Sequence, residues 1–111
     1  MPNPIRWAFH FQSDKSLDDI LDIFNTKSPW EWSGRESYIF GDYLNCRPEE
    51  GVRLQVHYLP QAFVQKPARE GYHALLEVPA GSSSQKVVDD TFRKLLTQVS
   101  ARDIRSIEPY D

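Results

Sequence analysis

Two stretches of strict alternation constrain this chain more than anything else in it. In residues 5–12, Ile5, Trp7, Phe9 and Phe11 fall on one side of an extended backbone, and Arg6, Ala8, His10 and Gln12 on the other. In residues 52–60, Val52, Leu54, Val56 and Tyr58 alternate with Arg53, Gln55, His57 and Leu59. A period of two with aromatic and β-branched residues on one side reads as a half-buried strand. The chain must therefore supply a layer to cover the apolar side.

Two helical segments can supply it. Leu17, Ile20, Leu21 and Phe24 keep the i, i+3, i+4, i+7 spacing of an apolar stripe. Ser16 stands where a hydroxyl can accept from the Asp19 amide, and Asp18 and Asp19 suit the positive end of the helix dipole. Pro29 ends the segment, because it lacks a donor and clashes with a helical predecessor. A second helix starts near Ser84 and carries Val88, Phe92, Leu95, Leu96 and Val99 on its buried side, with Asp89–Arg93 and Asp90–Lys94 as i, i+4 pairs.

Between the helices, Trp30 to Arg35 reads as a loop and residues 36–44 as a strand. Pro48-Glu-Glu-Gly51 is a turn signal. Residues 61–71, with Pro67 and Gly71, form a longer connection. Tyr72 to Val78 and Asp103 to Ile107 read as further strands. The order β-α-β-β-β-α-β over one domain, residues 1–111, implies an α+β two-layer sandwich with a mainly antiparallel sheet and two helices on one face. That arrangement resembles a ferredoxin-like one with an extra strand, an architecture shared by many functions.

Composition narrows the function classes. The formal charge is −3, from 16 acids and 13 bases. Residues 1–50 hold nine acids against five bases and residues 51–111 hold seven against eight. An acidic N-terminal half disfavours a nucleic-acid partner, whose phosphates need clustered Lys and Arg, and favours a basic one. The one cysteine, Cys46, precludes an internal disulfide and points to a reducing, cytoplasmic compartment. The residues after Met1 do not read as a signal peptide, and no stretch reads as a membrane span.

Recognisable chemistry is sparse. The three histidines are 47 and 16 residues apart, without the short-spaced pairs that mark zinc sites, so no metal or other cofactor is expected. Cys46 with His57 or His10, oriented by Asp42, has the atoms of a nucleophile–base set. No helix N-terminus stands near to lower the thiol pKa, however, and no catalytic residue is assigned. Gly81-Ser-Ser-Ser-Gln-Lys86 enters a helix but lacks the phosphate-loop pattern, and a serine cap accounts for it.

Two surfaces stand out as binding candidates. One is the aromatic, acidic segment with Trp30, Glu31, Trp32, Glu36, Tyr38, Asp42 and Tyr43, in which one Trp closes the core and the other anchors a partner, or both are core lids. The other is the sheet face bearing Arg6, His10, Gln12, Arg53, Gln55 and His57, which is either a solvated face or a ligand surface. His73 and Glu77 join it only if Tyr72, Ala74, Leu76 and Val78 turn inward. The first surface implies a non-catalytic protein-interaction module, an acidic inhibitor of a basic enzyme or toxin such as a bacterial immunity protein. The second implies an anionic-ligand binding domain or minor enzyme. Association of two copies through the sheet is also compatible with the sequence.

Overall fold

The structure, a computed structural model, describes residues 3–37, 41–59 and 71–107. Six strands and two helices follow in the order β1 (Ile5–Gln12), α1 (Leu17–Lys27), β2 (Trp32–Ser37), β3 (Gly41–Cys46), β4 (Arg53–Leu59), β5 (Gly71–Val78), α2 (Ser84–Gln98) and β6 (Arg102–Ile107). They form one sheet in the order β2-β3-β4-β5-β1-β6, and every neighbouring pair is antiparallel. The protein is an α+β two-layer sandwich.

Its connectivity separates into a frame and an addition. Strands β6-β1-β5-β4, with α1 after β1 and α2 between β5 and β6, form the ferredoxin-like frame. The β2–β3 hairpin is inserted between α1 and β4 and lengthens the sheet beyond that frame. One strand more is present than the sequence reading gave. The segment whose sequence reads as a loop, Trp30 to Arg35, contributes β2 from Trp32 onward. The strand expected over 36–44 is divided by a reversal, since Ser37 faces Gly41 and Trp32 faces Cys46. Ser33, Gly34 and Glu36 carry little intrinsic strand preference, so pairing with β3 and packing beneath the helix decide this segment.

Both helices lie on the Phe9 and Phe11 side. Phe9 stacks with Phe92 of α2 at 6.0 Å between ring centroids, and Phe24 of α1 meets Trp32 at 4.8 Å. Leu44, Leu54, Val56, Ala74 and Leu76 complete the floor of this core. The phase of β5 is thereby fixed, with Tyr72, Ala74, Leu76 and Val78 inward. Ser16 caps α1 as its position implies, its hydroxyl accepting from the Asp19 amide at 3.2 Å. On α2 the Asp89–Arg93 pair forms at 2.8 Å, whereas Asp90 pairs backward with Lys86 rather than forward with Lys94. Among the described residues no helix is long and apolar enough to cross a membrane.

Candidate functional site

Strand register arranges the helix-free side of the sheet in rows. One row runs across all six strands as Arg35, Tyr43, His57, His73, His10 and Arg105. The three histidines, 47 and 16 residues apart in sequence, are thus neighbours on β4, β5 and β1. Tyr43 stacks on His57 at 5.0 Å, and His10 meets His73 edge to face at 4.9 Å. A second row, Ser33, Asn45, Gln55, Leu75 and Ala8, is neutral. A third holds Arg53, Glu77 and Arg6.

The histidines turn away from the helices, as alternation requires, yet they are not all outward-facing. His10 is 7% exposed and His73 8%. Gly71 allows the close approach, because a Cβ there would lie 2.9 Å from His10 Nε2 and 3.0 Å from Gln12 Nε2. Burial lowers the pKa of His57. It lowers that of His73 to about 4, with the neighbouring His10 and His57 adding to the effect. At neutral pH His57 and His73 are therefore uncharged, while Arg6, Arg35, Arg53 and Arg105 bring positive charge to this face. Among the described residues, no group of three His, Cys, Asp or Glu is placed to hold a metal ion.

Glu77 Oε1 accepts from Arg6 Nε at 2.7 Å and lies 3.6 Å from Arg53 Nη2. Arg6 and Arg53, expected as ligand cations, thus share a single carboxylate oxygen. The open part of the face lies toward β2 and β3. A depression of about 620 Å³ there is lined by Glu31, Ser33, Arg35, Tyr43, Asn45, Cys46, Arg47 and Gln55. Arg35 and Arg47 carry no signal in the sequence pattern and become site residues only through the hairpin pairing.

The aromatic, acidic segment does not present one surface. Trp32, one of the partner-surface candidates, is 3% exposed and part of the core, so it is the Trp that closes the core. Trp30 is half-buried and lies 6.4 Å from Trp32 between ring centroids, so the two rings are not on opposite sides. The Ser28 hydroxyl, donating to the Trp30 carbonyl and accepting from its amide, bends the chain before β2 begins. Past that bend, period two divides the remainder: Glu31 and Tyr43 border the helix-free depression, while Asp42 is exposed beside α1. Glu36 sits opposite Asp42 in register. Tyr38 lies outside the described residues.

On the helix side a groove of about 500 Å³ runs between α1 and the hairpin, lined by Leu17, Asp18, Leu21, Gly34, Arg35, Asp42, Tyr43 and Leu44. Acidic charge on the helix side is concentrated on α1. Asp18, Asp19 and Asp22 are exposed on α1, and arginines dominate the opposite face. Cys46 is 1% exposed, and burial together with nearby Glu31 pushes its thiol up to about 12, which makes it a poor nucleophile.

Fold and site together define an α+β protein with an extended antiparallel sheet, an acidic first helix and an arginine-rich open face. No family model matches this chain, no curated protein matches it, and no solved structure matches it.

Proposed function

We propose that this chain is a non-catalytic protein-interaction module that caps a basic partner, in the manner of a bacterial immunity protein neutralising a toxin in the cytoplasm. The observation that carries this reading is the acid-rimmed groove between α1 and the β2–β3 hairpin. Leu17, Leu21, Gly34 and Leu44 lie along it, Asp18 and Asp42 stand on either side, and Arg35 and Tyr43 complete the lining at the hairpin. Leucine side chains beside charged groups are the mixed lining of a non-obligate protein interface. A lysine or arginine fits such a groove, its stem along the leucines and its head at a carboxylate.

Gly34 keeps the groove open, since its nearest neighbour across the gap is Leu21 Cδ2, 3.9 Å from where a Cβ would stand. The single buried thiol agrees with a reducing compartment.

The test is a titration of the isotopically labelled protein with a short lysine-rich peptide, followed by amide chemical shifts. The reading expects shifts at Leu21, Gly34 and Asp42 that fade as salt rises and vanish in the Asp18→Lys, Asp42→Lys double variant. Shifts confined to another surface, or independent of salt, would remove it.

A further inference from the structure

We propose that β2 takes up an extended segment of the partner as a further strand of the sheet, through the main chain of Gly34 and Glu36. The segment carries a basic residue opposite Gly34 and, one position before it, an acidic residue opposite Arg35. The basic residue is the one that the helix-side groove accepts, and its charge rests on that reading.

In an antiparallel pair the N–H and C=O of a residue point to the same side, and that side alternates along the strand. Trp32 donates its N–H to Asn25 Oδ1 at 2.6 Å and accepts at its C=O from Asn25 Nδ2 at 3.1 Å, so both groups face away from β3. Ser33 and Arg35 then face β3, and Gly34 and Glu36 face outward like Trp32. Because β2 ends the sheet, no strand meets those outward groups among the described residues. Asn25 thus closes the edge at Trp32, and the edge is open from Gly34 onward.

The two edges of the sheet differ. β6 is blunted by the left-handed φ of 52° at Asp103 and by the register shift opposite β1 between His10 and Gln12. β2 has no such break. It pairs with β3 at every position from Trp32 to Ser37 and contains no proline. A regular edge with an exposed main chain is the surface on which strand addition occurs.

Charge selects the occupant. In a second copy, pairing Gly34 with Glu36 sets the Arg35 of each copy against that of the other, and like charges at opposed positions repel. Pairing Gly34 with Gly34 calls instead on the Trp32 groups that Asn25 holds. A segment of another protein meets neither obstacle. Its side chain opposite Gly34 lies on the helix side, where Gly34 has no side chain to screen Leu21 and Asp18 of the groove. A lysine or arginine there lays its stem on the leucine and its head by the carboxylate. The side chain opposite Arg35, which is exposed, lies over the helix-free side, and a carboxylate suits it.

The probe is the capped peptide Thr-Val-Thr-Asp-Lys-Val-Thr, compared with the same peptide N-methylated at its lysine, which keeps both charges but loses the donor to the Gly34 carbonyl. Amide hydrogen exchange and chemical shifts of the labelled protein are the readouts. At saturation the unmethylated peptide should slow exchange at Gly34 and Glu36 about tenfold, and the methylated one should not. Arg35→Glu should weaken this peptide about threefold and favour one with Lys-Lys in place of Asp-Lys, the scale of one cross-strand charge pair. Equal shifts at Leu21 and Asp42 from both peptides, with exchange at Gly34 and Glu36 unchanged, overturn strand addition and leave the groove reading standing. No shift at Leu21 or Asp42 with either peptide removes the groove reading and this proposal with it. Slow exchange at Gly34 and Glu36 in the free protein means that the edge is already covered, by this chain's own residues or by a second copy, and also overturns the proposal.

Discussion

His10 and His73 stand directly opposite each other on β1 and β5, their rings edge to face at 4.9 Å, with His57 the next residue across on β4. Burial and the two neighbouring imidazoles together resist a proton on His73 and bring its pKa from 6.5 to about 4. The unfolded chain has no such resistance. Between these two values it takes up a proton that the native protein refuses. Stability contributed by neutral His73 is therefore intact above pH 6.5, falls as the pH drops through that window, and is gone below about 4. The gap amounts to at most roughly 3 kcal/mol, and His57 adds to it with the same sign. Urea denaturation at about pH 7.5 and about pH 4.5 should give a lower midpoint in acid, and His73→Phe should flatten the difference. A midpoint as pH-dependent in that variant as in the wild type contradicts this account.

Trp32 and Trp30 divide a role that their spacing leaves undecided. Trp32 packs on Phe24 at 4.8 Å and on Phe92 at 6.4 Å, joining both helices to the hairpin. Trp32→Ala should cost roughly 3–5 kcal/mol, the range for a large aromatic removed from a core. Trp30, half-buried against the same cluster, should cost roughly 1–2 kcal/mol when replaced by alanine. Equilibrium unfolding of the two variants checks the order, and equal losses would refute the division.

These two residues also show what local pattern conveys and where it stops. β1, β4 and both helices announce themselves because one face of each is buried and the chemistry alternates at the right period. The hairpin residues Ser33-Gly-Arg-Glu36 alternate weakly, because their strand lies at the sheet edge and owes its place to pairing with β3. Arg35 and Arg47 gain significance only from that pairing. The histidine row was legible on β1 and β4 but not on β5, where His73 is flanked by Tyr72 and Ala74 and either phase would bury something apolar. Only the register settles it. That His10 would be buried on the helix-free side has no counterpart in any short-range pattern.

Gly51 and Gly81 both adopt positive φ, 81° and 77°, but in different surroundings. A Cβ on Gly51 would stand 2.5 Å from Pro79 Cγ, whereas Gly81 has nothing within 4 Å. Gly81→Ala should therefore cost only the backbone strain of the left-handed region, about 1 kcal/mol. Gly51→Ala adds a clash with a rigid ring and should cost about 1–3 kcal/mol more clearly at the upper end. Thermal unfolding of both variants tests the difference, and a smaller loss at Gly51 would rule out the steric component.

Asn25 fastens α1 to the edge strand through both atoms of its amide. Its Oδ1 accepts from the Trp32 amide at 2.6 Å, and its Nδ2 donates to the Trp32 carbonyl at 3.1 Å. Trp32 begins β2, so this clamp sets where the edge strand starts and how Gly34 sits against Leu21. Asn25→Ala leaves two part-buried backbone groups without that partner and should cost about 1–3 kcal/mol. Asn25→Asp keeps an acceptor for the amide but sets a carboxylate oxygen against the carbonyl, so it should not restore wild-type stability. Hydrogen exchange should locate the loss, with the Trp32 amide exchanging faster while β5 in the sheet interior keeps its protection. Because Asn25 does not line the acid-rimmed groove, weaker lysine-peptide binding in the alanine variant would show that the groove depends on the hairpin's position as well as on its charges. Unchanged Trp32 exchange would mean that pairing with Cys46 on β3 holds the strand without the helix.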